Sequence, residues 1–389
     1  MKYLILALTL SFVCSCKQTN DKNIQLVTVD VAKDYQPREV WLQDIADIEY
    51  IPLATSDSML VNSTPSVVSD KGIAIRGGKI GEILLFDKQG QKLQGRICRR
   101  GEGPEEYTAI IFNIVDWQRK EVFIADFTSL KVYNFSGKYL RTLSRQSIMD
   151  LNIIDLNTDY LLCSIYKEGE ENPYAPYFLL SKEDGKIDTL SIEIPRCIAS
   201  NRKILWDDGH TSSAYGILPQ LYNCTDKIWL TDVALDTIFV MHPDQHLEPV
   251  MVPLHAPTTD PEAPLLLFRG MNDQYAWVSR IPRQVTVKMS DMVANREKRE
   301  KLYMYDRHAD EWFEPIYRNR AINNRETDPK YINITSVPYG YGLVQLNAMD
   351  LVEAYNKNQI TDERLKAIAS QLHEEDNPVL MVLKFKEER

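Results

Sequence analysis

The chain has 389 residues, of which 44% are hydrophobic and 26% are charged. This composition excludes a disordered tail and an integral membrane protein, and the length is sufficient for a large packed core. With 45 basic and 55 acidic residues the formal net charge is -10. Nucleic acid and anionic membrane surfaces attract basic proteins, so neither is expected as a charge-driven partner.

The N-terminus has the pattern of an export signal. Lys2 is followed by an apolar run over residues 3–13 that is interrupted only by Thr9 and Ser11. A membrane-spanning helix needs about 20 residues, so this run is too short to cross a bilayer. It is typical of the apolar region of a secretory signal peptide. We therefore expect residues 1–15 to be a signal peptide that is removed after export.

Residues 13–16, Val-Cys-Ser-Cys, resemble a bacterial lipobox, in which an apolar and a small residue precede a cysteine that is acylated after cleavage. The resemblance implies that Cys16 carries the lipid and that the acyl chain is the contact with the membrane. It also implies that residues 16–23 form a polar tether. Cys14 is a competing position, but no small residue precedes it. An ordinary cleaved signal peptide is the alternative.

The cysteines that follow Cys16 predict no metal site, because the separations between them match no zinc-binding pattern. They are Cys98, Cys163, Cys197 and Cys224. Outside the cytoplasm they can form disulfides in any of their possible pairings. Buried free thiols on strands are the alternative.

A hairpin of fixed pattern recurs along the chain. Residues 122–126 read Val-Phe-Ile-Ala-Asp and residues 228–232 read Ile-Trp-Leu-Thr-Asp, and in both copies a linker joins this strand to a second one. A related pattern, an apolar strand end followed by a polar turn with Gly, is shared by residues 86–93 and 133–140. Aspartate at a strand end accepts backbone N–H groups in a turn, which predicts a structural role for Asp126.

Repetition of such hairpins predicts an all-β fold, a six-bladed β-propeller, in one domain over residues 24–389. Propeller repeats run to roughly 40–50 residues, and a seven-bladed ring is the alternative. An N-terminal strand, at residues 25–31 or 48–53, is expected to complete the last blade, because closure removes the exposed sheet edge. The blades are expected at about residues 65–97, 108–143, 148–192, 214–251, 266–316, and 331–346 together with 379–386.

Residues 347–373 depart from the β pattern and predict a small helical insertion in the last blade. Two short helices are expected, at residues 349–355 and 362–372, with Thr361 as the N-cap of the second. The second helix has an apolar face that we expect to pack on the ring, formed by Leu365, Ile368 and Leu372.

Residues 101–107, Gly-Glu-Gly-Pro-Glu-Glu-Tyr, and the hairpin that follows them look like an NHL-type propeller repeat. With the strand at residues 48–53 and the ending Asp-Asn-Pro-Val-Leu at residues 376–380, the chain resembles the six-bladed β-propeller lipoproteins of Bacteroidetes. The resemblance implies a propeller fold and an outer-membrane lipoprotein of the cell envelope, on its periplasmic or its outer side. Members of this family are largely uncharacterised, so the resemblance implies no particular activity.

Three residues are candidates for ligand binding, namely Arg100, Tyr107 and Trp206. Arg100 and Tyr107 flank a glycine-rich loop, and Trp206 lies in the polar stretch 201–213. Arginine binds carboxylates in a bidentate manner and aromatic rings pack on sugars. A small ligand, a glycan or an envelope protein is therefore the expected partner. The alternative is that Tyr107 packs between two blades and that Trp206 covers a blade edge.

No set of residues in the sequence predicts catalysis, a metal site or a cofactor. The six histidines show no metal-ligand spacing, and the sequence has neither a Gly-x-Ser-x-Gly elbow nor a phosphate-binding loop. The preferred hypothesis is a non-enzymatic, lipid-anchored propeller that binds a ligand or protein partner and no nucleic acid.

The competing hypothesis is a calcium-dependent hydrolase or lyase, similar to the lactonases, with its site in the propeller channel. Calcium would need unlike oxygen ligands from several blades to converge on the axis. Asp116, Asp126 and Asp232 instead recur at equivalent positions of the repeats, which predicts turn formation. A purely structural subunit of a surface complex is a third possibility.

Overall fold

Short strands account for most of the described residues, as the repeats predict. The computed structural model describes residues 26–63, 65–144, 151–165, 177–190, 192, 202–214, 220–224, 227–231, 237–242, 246–254, 263–287, 300–323, 325–327 and 341–386. The predicted signal peptide, Cys16 and the tether lie outside the described residues. The first elements are β1 (Val27–Asp30), β2 (Pro37–Trp41), the helical turn α1 (Leu42–Ile45) and β3 (Ala46–Pro52).

The first three blades follow one another in sequence, each as an antiparallel sheet of four strands. Blade 1 consists of β4 (Val67–Val68), β5 (Ile73–Arg76), β6 (Glu82–Phe86) and β7 (Leu93–Cys98). Blade 2 consists of β8 (Phe112–Asp116), β9 (Glu121–Ala125), β10 (Leu130–Asn134) and β11 (Tyr139–Ser144). Blade 3 consists of β12 (Leu151–Asp155), β13 (Tyr160–Ile165), β14 (Tyr177–Ser181) and β15 (Ile187–Thr189).

The other three blades include additional elements. A hairpin of β16 (Arg202–Trp206) and β17 (Thr211–Ala214) precedes blade 4, which consists of β18 (Gln220–Cys224), β19 (Lys227–Thr231), β20 (Ile238–Met241) and β21 (Leu247–Leu254). Blade 5 consists of β22 (Leu265–Met271), β23 (Tyr275–Ile281), β25 (Lys301–Asp306), β26 (Glu311–Asn319) and β27 (Arg325–Thr327). Between β23 and β25 the chain forms β24 (Gln284–Val287), which pairs outside this sheet. Blade 6 contains β28 (Tyr341–Leu346), α2 (Ala348–Asn356), α3 (Glu363–Ala369) and β29 (Val379–Phe385).

These six sheets confirm the predicted six-bladed β-propeller. The first strands of consecutive blades adjoin, β8 with β12, β12 with β18 and β18 with β22, so the first strand of a blade lies nearest the axis. The middle strands are enclosed by neighbouring blades, and every residue of β6 and of β9 is buried. Burial on both faces explains why these strands are nearly continuous apolar runs.

An N-terminal strand closes the ring, and it is the second of the two candidate segments. β3 pairs antiparallel with β29 along its whole length and so completes blade 6. The first candidate segment, which contains β1, instead runs parallel to β21 as a fifth strand on blade 4, and β2 runs parallel to β26 on blade 5. The N-terminal segment therefore covers the outer edges of three blades in succession.

The two faces of the ring carry different connections. Because neighbouring strands of a blade are antiparallel, the turns from first to second strand and from third to fourth strand lie on one face, called the front face here. Connections from second to third strand and from blade to blade lie on the back face. Residues 69–72, 117–120 and 156–159 therefore belong to the front face, and residues 99–111 belong to the back face.

A small seventh sheet stands outside the blades. β16 pairs antiparallel with β17 and parallel with β24. The sheet thus joins the connection between blades 3 and 4 to the connection between the second and third strands of blade 5. Both connections belong to the back face, so this sheet, which includes Trp206, lies there.

The helical insertion predicted in the last blade is confirmed, since α2 and α3 separate β28 from β29. The N-cap of α3 is Asp362, whose side chain accepts hydrogen bonds from the backbone N–H groups of Arg364 at 2.9 Å and Leu365 at 3.1 Å. Thr361 as N-cap was wrong by one residue, because its hydroxyl instead donates to the carbonyl of Arg320. The predicted apolar face, which consists of Leu365, Ile368 and Leu372, packs in one hydrophobic cluster.

Two of the cysteines with described side chains are free thiols. Cys98 is exposed at the end of β7, and Cys163 is fully buried in β13, where burial raises the pKa of its thiol. Cys197 and the side chain of Cys224 lie outside the described part of the chain. Among the helices that the structure describes, none has the length and apolar character needed to cross a bilayer.

Candidate functional site

A cavity of about 420 Å³ opens beside the axis on the front face. Its walls come from the first strands of blades 1 to 4 and from the turns that follow three of them. Each of these blades therefore lines the cavity with residues of its innermost strand. The volume is within the range of small-molecule sites, about 300–1,000 Å³. Polar groups on its wall include Ser69, Lys71, Asn113, Asp116, Asp155 and Asn157.

A buried ion cluster forms one side of this axial cavity. The ammonium of Lys182, which is fully buried, lies 2.5 Å from Oδ2 of Asp116 and 2.6 Å from Oδ1 of Asp155. Asp116 ends β8, Asp155 ends β12, and Lys182 begins the turn after β14. The cluster therefore joins blade 2 to blade 3. Burying a charge costs several kcal/mol unless it is paired, and here the ammonium has two partners.

Asp116 both forms a turn and binds the buried ammonium. Its Oδ1 accepts hydrogen bonds from the backbone N–H groups of Gln118 and Arg119, both at 2.9 Å, as expected for a strand-end aspartate. Ser69 holds the corresponding turn of blade 1, where its Oγ accepts from the backbone N–H of Gly72 at 3.2 Å. Turn formation and the axial cavity therefore use the same strand-end position.

Asp155 presents a carboxylate at the cavity wall, with 37% of its side chain exposed. Burial raises its pKa above the ordinary value of 3.8, and the negative charge of Asp116 adds to this effect, whereas Lys182 and Lys71 oppose it. Two carboxylates share one buried ammonium, so an ionised Asp155 has acceptor capacity that the cluster does not use. It can offer that capacity to a bound molecule.

Three side chains at the cavity have unused donors. Asn113 in β8 is only 8% exposed, and its Nδ2 has no hydrogen-bond partner in the described structure. Nε1 of Trp117 is likewise buried without a partner, and exposed Lys71 makes no ion pair with any described residue. A buried polar group left unsatisfied costs about 1–3 kcal/mol. Asn113 therefore lines the cavity with a buried donor that no described group uses.

Tyr107 lies in the core between blades 1 and 2, away from the axial cavity. Its ring is fully buried and meets Tyr133 edge to face, with 5.6 Å between centroids. Its hydroxyl donates to the carbonyl of Gly81 at 2.5 Å and accepts from the backbone N–H of Arg99 at 3.0 Å, and burial raises the pKa of Tyr107 to about 12. Packing between blades, the alternative to ligand binding, accounts for these contacts.

Arg100 and Trp206 do not form one site with the cavity. Arg100 forms an isolated bridge with Tyr107, and its exposed guanidinium donates from Nε to the carbonyl of Thr108 at 3.1 Å. Trp206 stacks on His210 in the small back-face sheet, with 5.4 Å between ring centroids. The three predicted ligand-binding residues therefore all belong to back-face connections. Their role in ligand binding stays a prediction.

The axial carboxylates already have a cation. Lys182 lies between Asp116 and Asp155, where a bridging calcium ion would have to bind. Within the described residues, no group of three or more His, Cys, Asp and Glu side chains is placed to hold a metal ion. The calcium-dependent hypothesis therefore has no set of acidic ligands in this part of the chain.

Sequence reasoning missed the residues that line the cavity, although one signal was present. Asp155 ends the first strand of blade 3 as Asp116 ends that of blade 2. Equivalent positions on the innermost strands come together around the axis of a propeller, so the repeat itself marks the site. Lys182 had no such signal, because it comes from a turn between the third and fourth strands of its blade.

One of the similar solved structures shares the fold over most of the chain. A protein of Bacteroides fragilis named as exported aligns over 93% of this chain and 100% of its own, with 14% identity and a TM-score of 0.60. Virginiamycin B lyase from Staphylococcus aureus aligns over 87% and 99%, with 11% identity and a TM-score of 0.34. The extracellular domain of a one-component system from B. thetaiotaomicron aligns over 69% and 29%, with 12% identity and a TM-score of 0.34. The last two similarities support no inference about this chain.

No curated protein matches the sequence significantly. The family model of DUF4934, a domain of unknown function, matches residues 26–384, from the start of the N-terminal strands into the last strand of the ring. The match includes all of the strands that build the axial cavity. The chain therefore belongs to the DUF4934 family.

Proposed function

We propose that this protein is exported, is anchored in the outer membrane through a lipid on Cys16, and binds a small polar ligand in the axial cavity without catalysing a reaction. The observation that carries the proposal is the buried amide of Asn113, whose Nδ2 has no described partner on the cavity wall. The lipobox-like residues 13–16 support the anchor, and the fold similarity to the exported protein of Bacteroides fragilis supports export.

The cavity wall favours a neutral or zwitterionic ligand. Asn113 and Lys71 offer donors, and Asp155 offers an acceptor. A purely anionic molecule would be repelled by the two carboxylates, and a purely cationic one would compete with the ammonium of Lys182. Hydroxyl or amide groups can use donors and acceptors together, and apolar residues such as Ile153 can contact the carbon skeleton.

Ligand binding is tested by the melting temperature of the purified protein in the presence of neutral sugars, amino acids and hydroxylated amides. We expect stabilising compounds to act on the wild type and on Asn152→Leu, a control in β12 that does not line the cavity. The same compounds should have no effect on Asn113→Leu, which removes the donor and keeps the number and branching of the side-chain heavy atoms. Equal stabilisation of all three proteins, or of none, would exclude the proposed site.

The anchor is tested by growing cells with a clickable fatty acid. We expect the label on the wild type and on Cys14→Ser, and no label on Cys16→Ser, because only Cys16 has a small residue before it in the lipobox-like segment. An unlabelled wild type, or label retained after Cys16→Ser, would contradict lipidation at this position. That outcome would leave the ligand site unaffected.

A further inference from the structure

An open basic groove lies next to the axial cavity, on the same front face. It has a volume of about 910 Å³ and is bordered by turns of blades 1 and 2. No acidic side chain of the described residues lines it. The residues that give the groove its character are the basic Lys71, Lys92, Arg96 and Lys120 and the aromatic Trp117 and Phe135.

This positive charge stands out because the chain as a whole has a net charge of -10. Lys71, Lys92 and Lys120 are exposed, and none of them forms an ion pair with a described residue. Only Arg96 is paired, with Glu82 at 3.4 Å. Unpaired like charges in one concave site repel each other and raise the local concentration of anions, so the groove is suited to a negatively charged ligand.

Lys120 is at a backbone position that does not favour lysine. Its φ is 53°, in the left-handed region where glycine and asparagine are preferred. Lys120 nevertheless occupies this position, in the turn between β8 and β9. The turn therefore places an exposed cationic side chain beside the groove.

The two aromatic rings give the groove a fixed apolar surface. Trp117 and Phe135 pack edge to face, with 5.4 Å between centroids and 87° between planes. Gly72 is required beside them, because a Cβ there would lie 2.3 Å from Cη2 of Trp117. A packed aromatic pair beside exposed lysines can contact the carbon face of a sugar ring while the ammonium groups bind its charged substituents.

A peptide strand fits this groove less well. The backbone N–H of Arg96 already donates to the carbonyl of Phe135 at 3.0 Å, so this donor is not available to an added strand. Recognition therefore depends on side chains, and these side chains are cationic and aromatic. A flat anionic membrane would not enter a concave groove.

We propose that this groove binds an acidic polysaccharide, with its carboxylates or sulfates at Lys92, Lys120 and Lys71 and a sugar ring against Trp117. The inference goes beyond the proposed function, and it rests mainly on Lys92 and Lys120, which do not line the cavity. Lys71 and Trp117 border both the groove and the cavity, so an acidic chain in the groove can lie directly beside a neutral ligand in the cavity.

The test is the affinity of the purified protein for polygalacturonate, with neutral dextran as a second probe. We expect the wild type to bind polygalacturonate and not dextran, with affinity that falls as salt rises. The double variant Lys92→Glu/Lys120→Glu should bind at least about tenfold more weakly. Lys79→Glu/Lys203→Glu makes the same charge change on exposed back-face lysines and should bind like the wild type.

Equal affinity of the two double variants, or equal binding of dextran and polygalacturonate, would overturn the proposal. Tighter binding of poly-glutamate, or of vesicles with anionic lipid, would replace the polysaccharide by another class of partner and would also overturn it. Asn113→Leu separates this proposal from the cavity ligand, because it should leave polygalacturonate binding unchanged. Unchanged circular dichroism and melting temperature verify that each variant is folded.

Discussion

Lys182 shows how a single residue can support both the fold and the candidate site. Its ammonium holds the ends of two inner strands through Asp116 and Asp155. The carboxylates face the axial cavity, so the contact that fixes blade 2 against blade 3 also fixes the polar wall. Loss of Lys182 would leave two neighbouring carboxylates without their cation, which destabilises the fold.

Asp155→Asn is expected to gain stability relative to the wild type as pH rises. Because the folded-state pKa of Asp155 is raised above 3.8, the protonated form contributes stability that is complete below pH of about 4 and is lost as pH rises through the folded pKa. Asparagine has no proton to lose at this position. Urea unfolding between pH of about 4 and about 7 measures the difference.

The exposed neighbour Asp159 supplies the control for this pH effect. Asp159→Asn makes the same chemical change at an exposed position, and the pH dependence of Asp155→Asn is compared with it. The contrary result is a difference in unfolding free energy between Asp155→Asn and the wild type that is constant with pH or changes in the opposite direction. It would show that folding does not disfavour the ionised form of Asp155.

Tyr107→Phe is expected to destabilise the fold by about 1–2 kcal/mol, because it removes a buried hydroxyl with two hydrogen bonds. Arg100→Ala should change stability by no more than about 0.5 kcal/mol, because Arg100 is exposed. Urea unfolding of the two variants compares them directly. A neutral Tyr107→Phe, or a larger loss for Arg100→Ala, would be inconsistent with Tyr107 as an interblade packing residue.

The elements of the blades could be predicted from the sequence because each is a local hairpin. The recurring pattern at residues 122–126 and 228–232 corresponds to β9 and β19, which are both second strands of their blades, and Asp232 lies outside the described residues. The parallel pairing of β1 with β21 and of β2 with β26 had no such signal. Parallel pairs of distant segments leave no turn between them to recognise.

Removal of N-terminal strands should have graded effects. A chain that starts at residue 34 lacks β1, whose Val27 and Val29 are buried, and should lose about 3–6 kcal/mol but still unfold cooperatively, because blade 4 keeps four strands. A chain that starts at residue 53 also lacks β3 and leaves β29 with an open edge. We expect this shorter chain to be insoluble. Expression trials and urea unfolding test the predictions for the two truncated chains. Equal behaviour of the two truncated chains would exclude β3 as the closing strand.

At the scale of the whole molecule, the candidate site is a consequence of ring closure. Asp116 forms a turn within blade 2, whereas Asp155 and Lys182 both belong to blade 3, and only the rotation from one blade to the next brings Asp116 to Lys182. Sequence reasoning placed the ligand-binding residues on the longer, glycine-rich and polar connections, which lie on the back face. The axial cavity could not be predicted in this way, because its residues are dispersed over four blades.

The most direct test of ligand binding in the axial cavity is a crystal structure of the protein with the compound that most raises its melting temperature. We predict density for the compound between the first strands of blades 1 to 4, within hydrogen-bonding distance of Nδ2 of Asn113. The compound bound elsewhere on the ring, with Asn113 uncontacted, would contradict this account.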